Sequence, residues 1–85
     1  MFGDDDRLES ARMQAEGGAR SAAAEAYISI AVDTSVGEDV RLEAARGLAE
    51  VDERAAVEAY RSIAMDGSVG EDVRLEAARG LAEVS

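Results

Sequence analysis

The chain repeats itself. Residues 22–52 and residues 55–85 align at an offset of 33, with 26 of 31 positions identical, and Ser35–Val51 matches Ser68–Val84 without a change. A fixed period of this size marks an architecture built from stacked supersecondary units. No single unit can bury its own apolar face, so neighbours must cover one another in an array. Near-identity at surface as well as core positions implies recent duplication or deliberate repetition. An altered copy of part of the unit comes first. Arg7-Leu8-Glu9-Ser10-Ala11-Arg12 parallels Arg41-Leu42-Glu43-Ala44-Ala45-Arg46 at an offset of 34. The one-residue difference falls near Gly17-Gly18, in a turn, where a change of length is absorbed.

The unit reads as two helices. Ala is the commonest residue with 18 copies, and Pro is absent. Ala, Glu, Arg and Leu favour helix throughout, and the scattered β-branched residues argue against a sheet. The first helix type spans about Asp52 to Met65. Asp52 suits the N-cap, and Ala56, Tyr60, Ile63 and Ala64 share one face. Asp66-Gly67 ends it, with Gly67 expected in the left-handed conformation. The second type spans about Val69 to Glu83. Ser68-Val69-Gly70-Glu71, like Ser35-Val36-Gly37-Glu38, fits a capping box. Val73, Ala77, Leu81 and Val84 form its main apolar stripe; Leu75, Ala78 and Ala82 form a second beside it. A helix apolar on two neighbouring faces needs cover from two sides. Glu71 with Arg74, Glu76 with Arg79, and Arg79 with Glu83 have ion-pair spacing. Gly47 and Gly80 sit in mid-helix, where a close helix crossing would offset their cost of ~1 kcal/mol relative to Ala.

The expected fold is therefore all-α: a short right-handed α-solenoid of helix-turn-helix repeats with period 33 and about five helices. The expected divisions are a capping helix over 4–17, repeat 1 over 19–51 and repeat 2 over 52–85. In the first copy Asp6, Ser10 and Gln14 stand where the repeat has Val40, Ala44 and Leu48. Core positions have turned polar there, as on a terminal unit that meets water. The last helix shows no such change. It suggests either a piece of a longer array or a homo-oligomer that pairs through Val73, Ala77, Leu81 and Val84.

The stretch Ser68–Val84, with its acidic residue, Val73-Arg74, Ala77-Ala78 and Leu81, resembles the second helix of HEAT-like repeats. Asp52–Ala59 is similar to their turn into the next first helix. The resemblance covers both full repeats and departs from the shortest members by about two extra residues at Asp66–Gly70. Ala56, Tyr60 and Ile63, with the period of 33, are also similar to tetratricopeptide-like repeats, but the Trp, Leu-Gly and Pro positions of that motif are not met. Either resemblance implies a superhelical stack that scaffolds or binds proteins. Neither implies catalysis.

Catalytic chemistry finds little support. His, Cys and Lys are absent, which removes the usual bases, nucleophiles and zinc ligands. The acidic pairs Glu38-Asp39 and Glu71-Asp72 sit at helix starts, where acids are expected structurally. No catalytic residue, cofactor or metal is assigned, and an enzyme is not expected. A net charge of −10, with all nine positive charges on Arg, repels nucleic acid and anionic membranes and favours a basic partner over an acidic one. No apolar run is long enough for a membrane span, and the Met1-Phe2-Gly3-Asp4 start lacks signal-peptide features. A cytoplasmic protein is the default expectation, and the Ala, Arg, Glu and Gly bias resembles that of GC-rich bacteria. The expected function is a protein or peptide binding module, with Ile28, Arg61, Glu43, Arg46, Glu76 and Arg79 as the candidate partner face. The alternative is a self-assembling structural unit. Tyr27 and Tyr60, at one repeat position, are read as packing residues or as a ladder of exposed anchors.

Overall fold

A computed structural model describes residues 3–85; Met1 and Phe2, part of the N-terminal start considered above, lie outside it. Among the described residues there are five helices and no strand: α1 Asp4–Glu16, α2 Arg20–Ala31, α3 Glu38–Val51, α4 Glu53–Ala64 and α5 Glu71–Val84. Each helix touches its neighbours one or two places along the chain, and none further away. That pattern belongs to a linear helical-repeat array, and the molecule is correspondingly flat, at 33 × 32 × 13 Å. α1, α3 and α5 are the second helix type; α2 and α4 are the first.

The core runs the length of the array rather than forming a centre. Ala11, Ala23, Ala44, Ala45, Ala56 and Ala77 are fully buried, with Ile30, Leu48 and Ile63 as the largest enclosed side chains. Alanine at so many contacts lets the helix axes approach closely. The mid-helix glycines do the same at one point in each repeat. A Cβ at Gly47 would lie 2.5 Å from the Tyr27 ring, and one at Gly80 would overlap the Tyr60 ring in the same way. α1 carries Met13 at the matching position, and Met13 is exposed. Glycine is thus confined to the helices across which a tyrosine lies.

The turns differ from the sequence reading. α3 and α5 begin at Glu38 and Glu71, with Gly37 and Gly70 as N-caps and no side-chain cap, so the serines are not capping-box residues. Ser35 and Ser68 instead donate from both amide and hydroxyl to Asp33 and Asp66, at 2.9 and 2.6 Å and at 2.9 and 2.7 Å. A local Asp–Ser bond two residues apart outcompetes a cap that would need the helix to start earlier. Gly67 is not left-handed; Gly18, with φ 87°, is the one described residue in that region. The Asp–Ser bonds close the turn without it, and Thr34 holds the same position in the earlier copy. Asp52 does cap α4, accepting from the Ala55 amide at 3.2 Å.

Polar contacts between repeats recur in register. Asp4 accepts from the Gly37 amide at 3.4 Å, and Glu38 accepts from the Gly70 amide at 2.9 Å. An acid from the preceding repeat therefore helps satisfy the start of the next second-type helix. Arg7 pairs with Asp33 at 3.1 Å, and Arg41 pairs with Asp66 at 2.9 Å. Arg41 is 2% exposed and also donates from Nε to the Ala31 carbonyl at 2.8 Å.

Gly80→Ala should lower stability by about 1–3 kcal/mol in urea titrations, because overpacking against the buried Tyr60 ring outweighs the better helix propensity. A stabilised Gly80→Ala chain would show that the ring moves aside freely. Arg41→Ala should cost about 2–4 kcal/mol, since it removes a buried guanidinium and leaves the Ala31 carbonyl and one oxygen of the partly buried Asp66 carboxylate without a partner. Arg7→Ala, at a half-exposed pair, should cost under ~1 kcal/mol. Equal losses in the two variants would contradict the role of burial.

Candidate functional site

The second-type helices line up a continuous ladder of ion pairs. Arg12 of α1 meets Glu43 of α3 at 3.4 Å, and Glu43 meets Arg46 on its own helix at 2.9 Å. Arg46 then reaches Glu76 of α5 at 3.3 Å, and Glu76 meets Arg79 at 2.9 Å. The ladder is half-exposed, so each pair contributes little stability by itself. Its effect is to fix long side chains along one edge. Arg79 with Glu83 and Glu71 with Arg74, although correctly spaced, are not ion pairs here.

Beneath the ladder lie two equivalent grooves. One, of about 390 Å3, runs between α1 and α3 and is lined by Arg12, Glu16, Tyr27, Glu43, Arg46, Gly47 and Glu50. The other, of about 400 Å3, runs between α3 and α5 and is lined by Arg46, Glu50, Tyr60, Glu76, Arg79, Gly80 and Glu83. Every one of these residues in the first groove has a counterpart in the second. The absence of a side chain at Gly47 and Gly80 lets the tyrosine reach the groove floor. Both tyrosines are only 4% exposed, so their rings are packing residues and not a ladder of exposed anchors. Neither hydroxyl has a hydrogen-bond partner among the described side chains. Burial raises the Tyr27 and Tyr60 pKa values, aided by Glu50 and Glu16 at the first and by Glu83 and Glu43 at the second, against the lowering effect of Arg12 and Arg46. Each phenol thus stays protonated at neutral pH and can donate.

The carboxylates of Glu16, Glu50 and Glu83 are in no ion pair among the described residues. Each groove holds two arginines and three glutamates, and in each the arginines are already engaged by the ladder. What remains for a ligand is carboxylate and phenol.

Compared with known proteins, the chain matches no family model, no curated protein and no solved structure. Among the described residues no cluster of acids has the arrangement to hold a metal ion, and no helix is long and apolar enough to cross a membrane. Two of the three acids at the start of α1 are engaged with amides: Asp4 with Gly37, and Asp6 with Gly3 at 3.2 Å.

Of the sequence-derived partner face, Glu43, Arg46, Glu76 and Arg79 come together in the ladder. Ile28 and Arg61 line neither groove. Ile28 is half-buried against the core rather than displayed, whereas exposed Arg61 pairs with Glu58 at 3.6 Å. The position lies at a rim where an aliphatic chain packs and a long cation stays wet. The expected self-association stripe requires a correction. Val73 and Ala77 are buried in this chain's own core, and Leu81 and Val84 pack against it. That stripe serves the contact within the repeat, and the open stripe is the other one. Glu50, Glu83 and the phenols join the site only in the folded chain. Their one sequence signal is the recurrence of Tyr and mid-helix Gly at a spacing of 20 in both copies, Tyr27 to Gly47 and Tyr60 to Gly80.

The turn aspartates are structural and pH-sensitive. Hydrogen bonds from Ser35 first, then from Arg7, lower Asp33 to a pKa of about 2. Bonds from Ser68 and Arg41 lower Asp66 to about 2. A depressed carboxylate pKa contributes stability that is present above the ordinary value of 3.8 and is lost as pH falls through about 2. Urea midpoints should therefore fall steadily between about pH 4 and pH 2. Asp66→Asn should be less stable than the parent at pH 7 and nearly equal to it at pH 2. Parallel pH curves for the two chains would refute the assignment.

Proposed function

We propose that this protein is a non-catalytic binding module that holds an extended basic peptide along its two equivalent grooves. The observation that carries the reading is the duplication of the groove itself, with unpaired Glu50 and Glu83 and a protonated tyrosine hydroxyl at matching places. Helices packed ~10 Å apart place such sites about three residues of polyproline-II-like chain apart, and its three-residue turn keeps every third side chain on one face. A guanidinium at every third position would meet a carboxylate acceptor in each groove while its neighbours cross the ladder. A net charge of −10 would speed encounter with a cationic partner. The resemblance to HEAT-like and tetratricopeptide-like arrays supports the same class of function.

A fluorescein-labelled peptide repeating Arg-Gly-Ser over twelve residues is a suitable probe, with a matched Glu-Gly-Ser peptide as control. Polarisation should report binding of the first only, weakening with salt. Changing Glu50→Gln and Glu83→Gln together should weaken binding about five- to thirty-fold, equivalent to ~1–2 kcal/mol for two partly exposed ion pairs. Changing Glu25→Gln and Glu53→Gln, exposed acids outside the grooves, should have less effect. Equal effects of the two double variants would reduce the interaction to non-specific charge and overturn the groove as the site.

A further inference from the structure

The outer face of α5 repeats three polar arrangements that are completed elsewhere in the array, and at α5 each of them is left open. Glu71 corresponds to Asp4 and Glu38, which accept from the Gly37 and Gly70 amides of the next turn. Arg74 corresponds to Arg7 and Arg41, which pair with Asp33 and Asp66. Arg79 corresponds to Arg12 and Arg46, which reach Glu43 and Glu76 across the repeat boundary. Glu71 and Arg74 have no ion-pair partner among the described residues, and Arg79 has only Glu76 on its own helix. The matching acceptor for Arg74, the Ala64 carbonyl, lies in α4, yet the Arg74 Nε is shielded from solvent and unpaired, where the Arg41 Nε, with its guanidinium held by Asp66, bonds the Ala31 carbonyl.

The apolar positions agree. Leu8 and Leu42 are each 6% exposed, but Leu75 is 54% exposed. Ala11 and Ala45 are fully buried, but Ala78 is exposed. The upstream surroundings of α3 and α5 are alike, so the difference arises because α4 and α5 cover α3, whereas among the described residues α5 is packed only by α3 and α4.

We propose that this face of α5 is a docking surface for a further helix-turn unit of the same repeat chemistry, whose Asp-x-Ser-Val-Gly turn has its Asp carboxylate and final amide free. The turns at Asp33–Gly37 and Asp66–Gly70 show what the occupant supplies: an acceptor for the arginine, a donor for the acid and a valine for the core, as Val36 and Val69 are buried. A second folded copy of residues 3–85 does not supply it. Its two such turns are already engaged, by Asp4 and Arg7 and by Glu38 and Arg41.

The test appends residues 53–85 once more after Ser85, which presents one such turn to α5 while keeping the full chain. The extended chain should unfold in a single transition with a urea midpoint about 0.5–1 M above that of the 85-residue chain. Leu75→Asp, and separately Arg74→Ala, should remove most of that gain while barely moving the midpoint of the unextended chain, in which both groups lack a partner. An extended chain with an unchanged midpoint, or substitutions equally harmful in both backgrounds, would overturn the proposal. So would a Leu75-dependent dimer of the unextended chain in sedimentation, because a second copy would then occupy the face.

Discussion

The close approach of a tyrosine ring to a mid-helix glycine sets the spacing within each repeat, and the rest of the architecture depends on it. With Tyr27 lying across Gly47 and Tyr60 across Gly80, first-type and second-type helices meet at a distance that larger residues could not tolerate. The neighbouring contacts are then made by alanines, whose burial costs little side-chain entropy. The same contact places each phenol at the floor of a groove. Packing and the candidate binding chemistry therefore share one pair of residues per repeat.

Cohesion between repeats is carried by a second set of interactions. Alanine-rich faces bury modest area, and the polar contacts at their edges supply direction. An arginine reaches the turn aspartate of the next repeat, and an acid reaches the amide at the next helix start. Arg41 shows how far this goes: its guanidinium is enclosed and joins α3 to the carbonyl end of α2 and to the turn after α4. Such charge-assisted bonds tolerate little slippage, so they hold the helices in register. The exposed ladder from Arg12 to Arg79 keeps the same register at the groove edge.

The glycine positions in the two turns show why local rules misjudge the loops. Ser35 and Ser68 stand where a capping box requires, but each is held by an aspartate two residues earlier, and the cap is supplied from another repeat. An interaction across 32 residues, Glu38 to Gly70, leaves no trace in the short window from which a cap is read. The apolar stripes are legible within the same kind of window, and it limits them too. Periodicity shows that α5 has two apolar faces, but not which of them its own repeat covers.

The sequence by itself determined the helical content, the repeat, its period, the polar face of α1 and the lack of His, Cys and Lys chemistry. All of these come from composition and spacing along the chain. Only the tertiary structure decided that Gly47 and Gly80 receive tyrosine rings, that Val73 and Ala77 face inward while Leu75 and Ala78 face out, and that Glu50 and Glu83 border two equivalent grooves. Those outcomes depend on which helix lies against which, and so on distances between residues far apart in the chain.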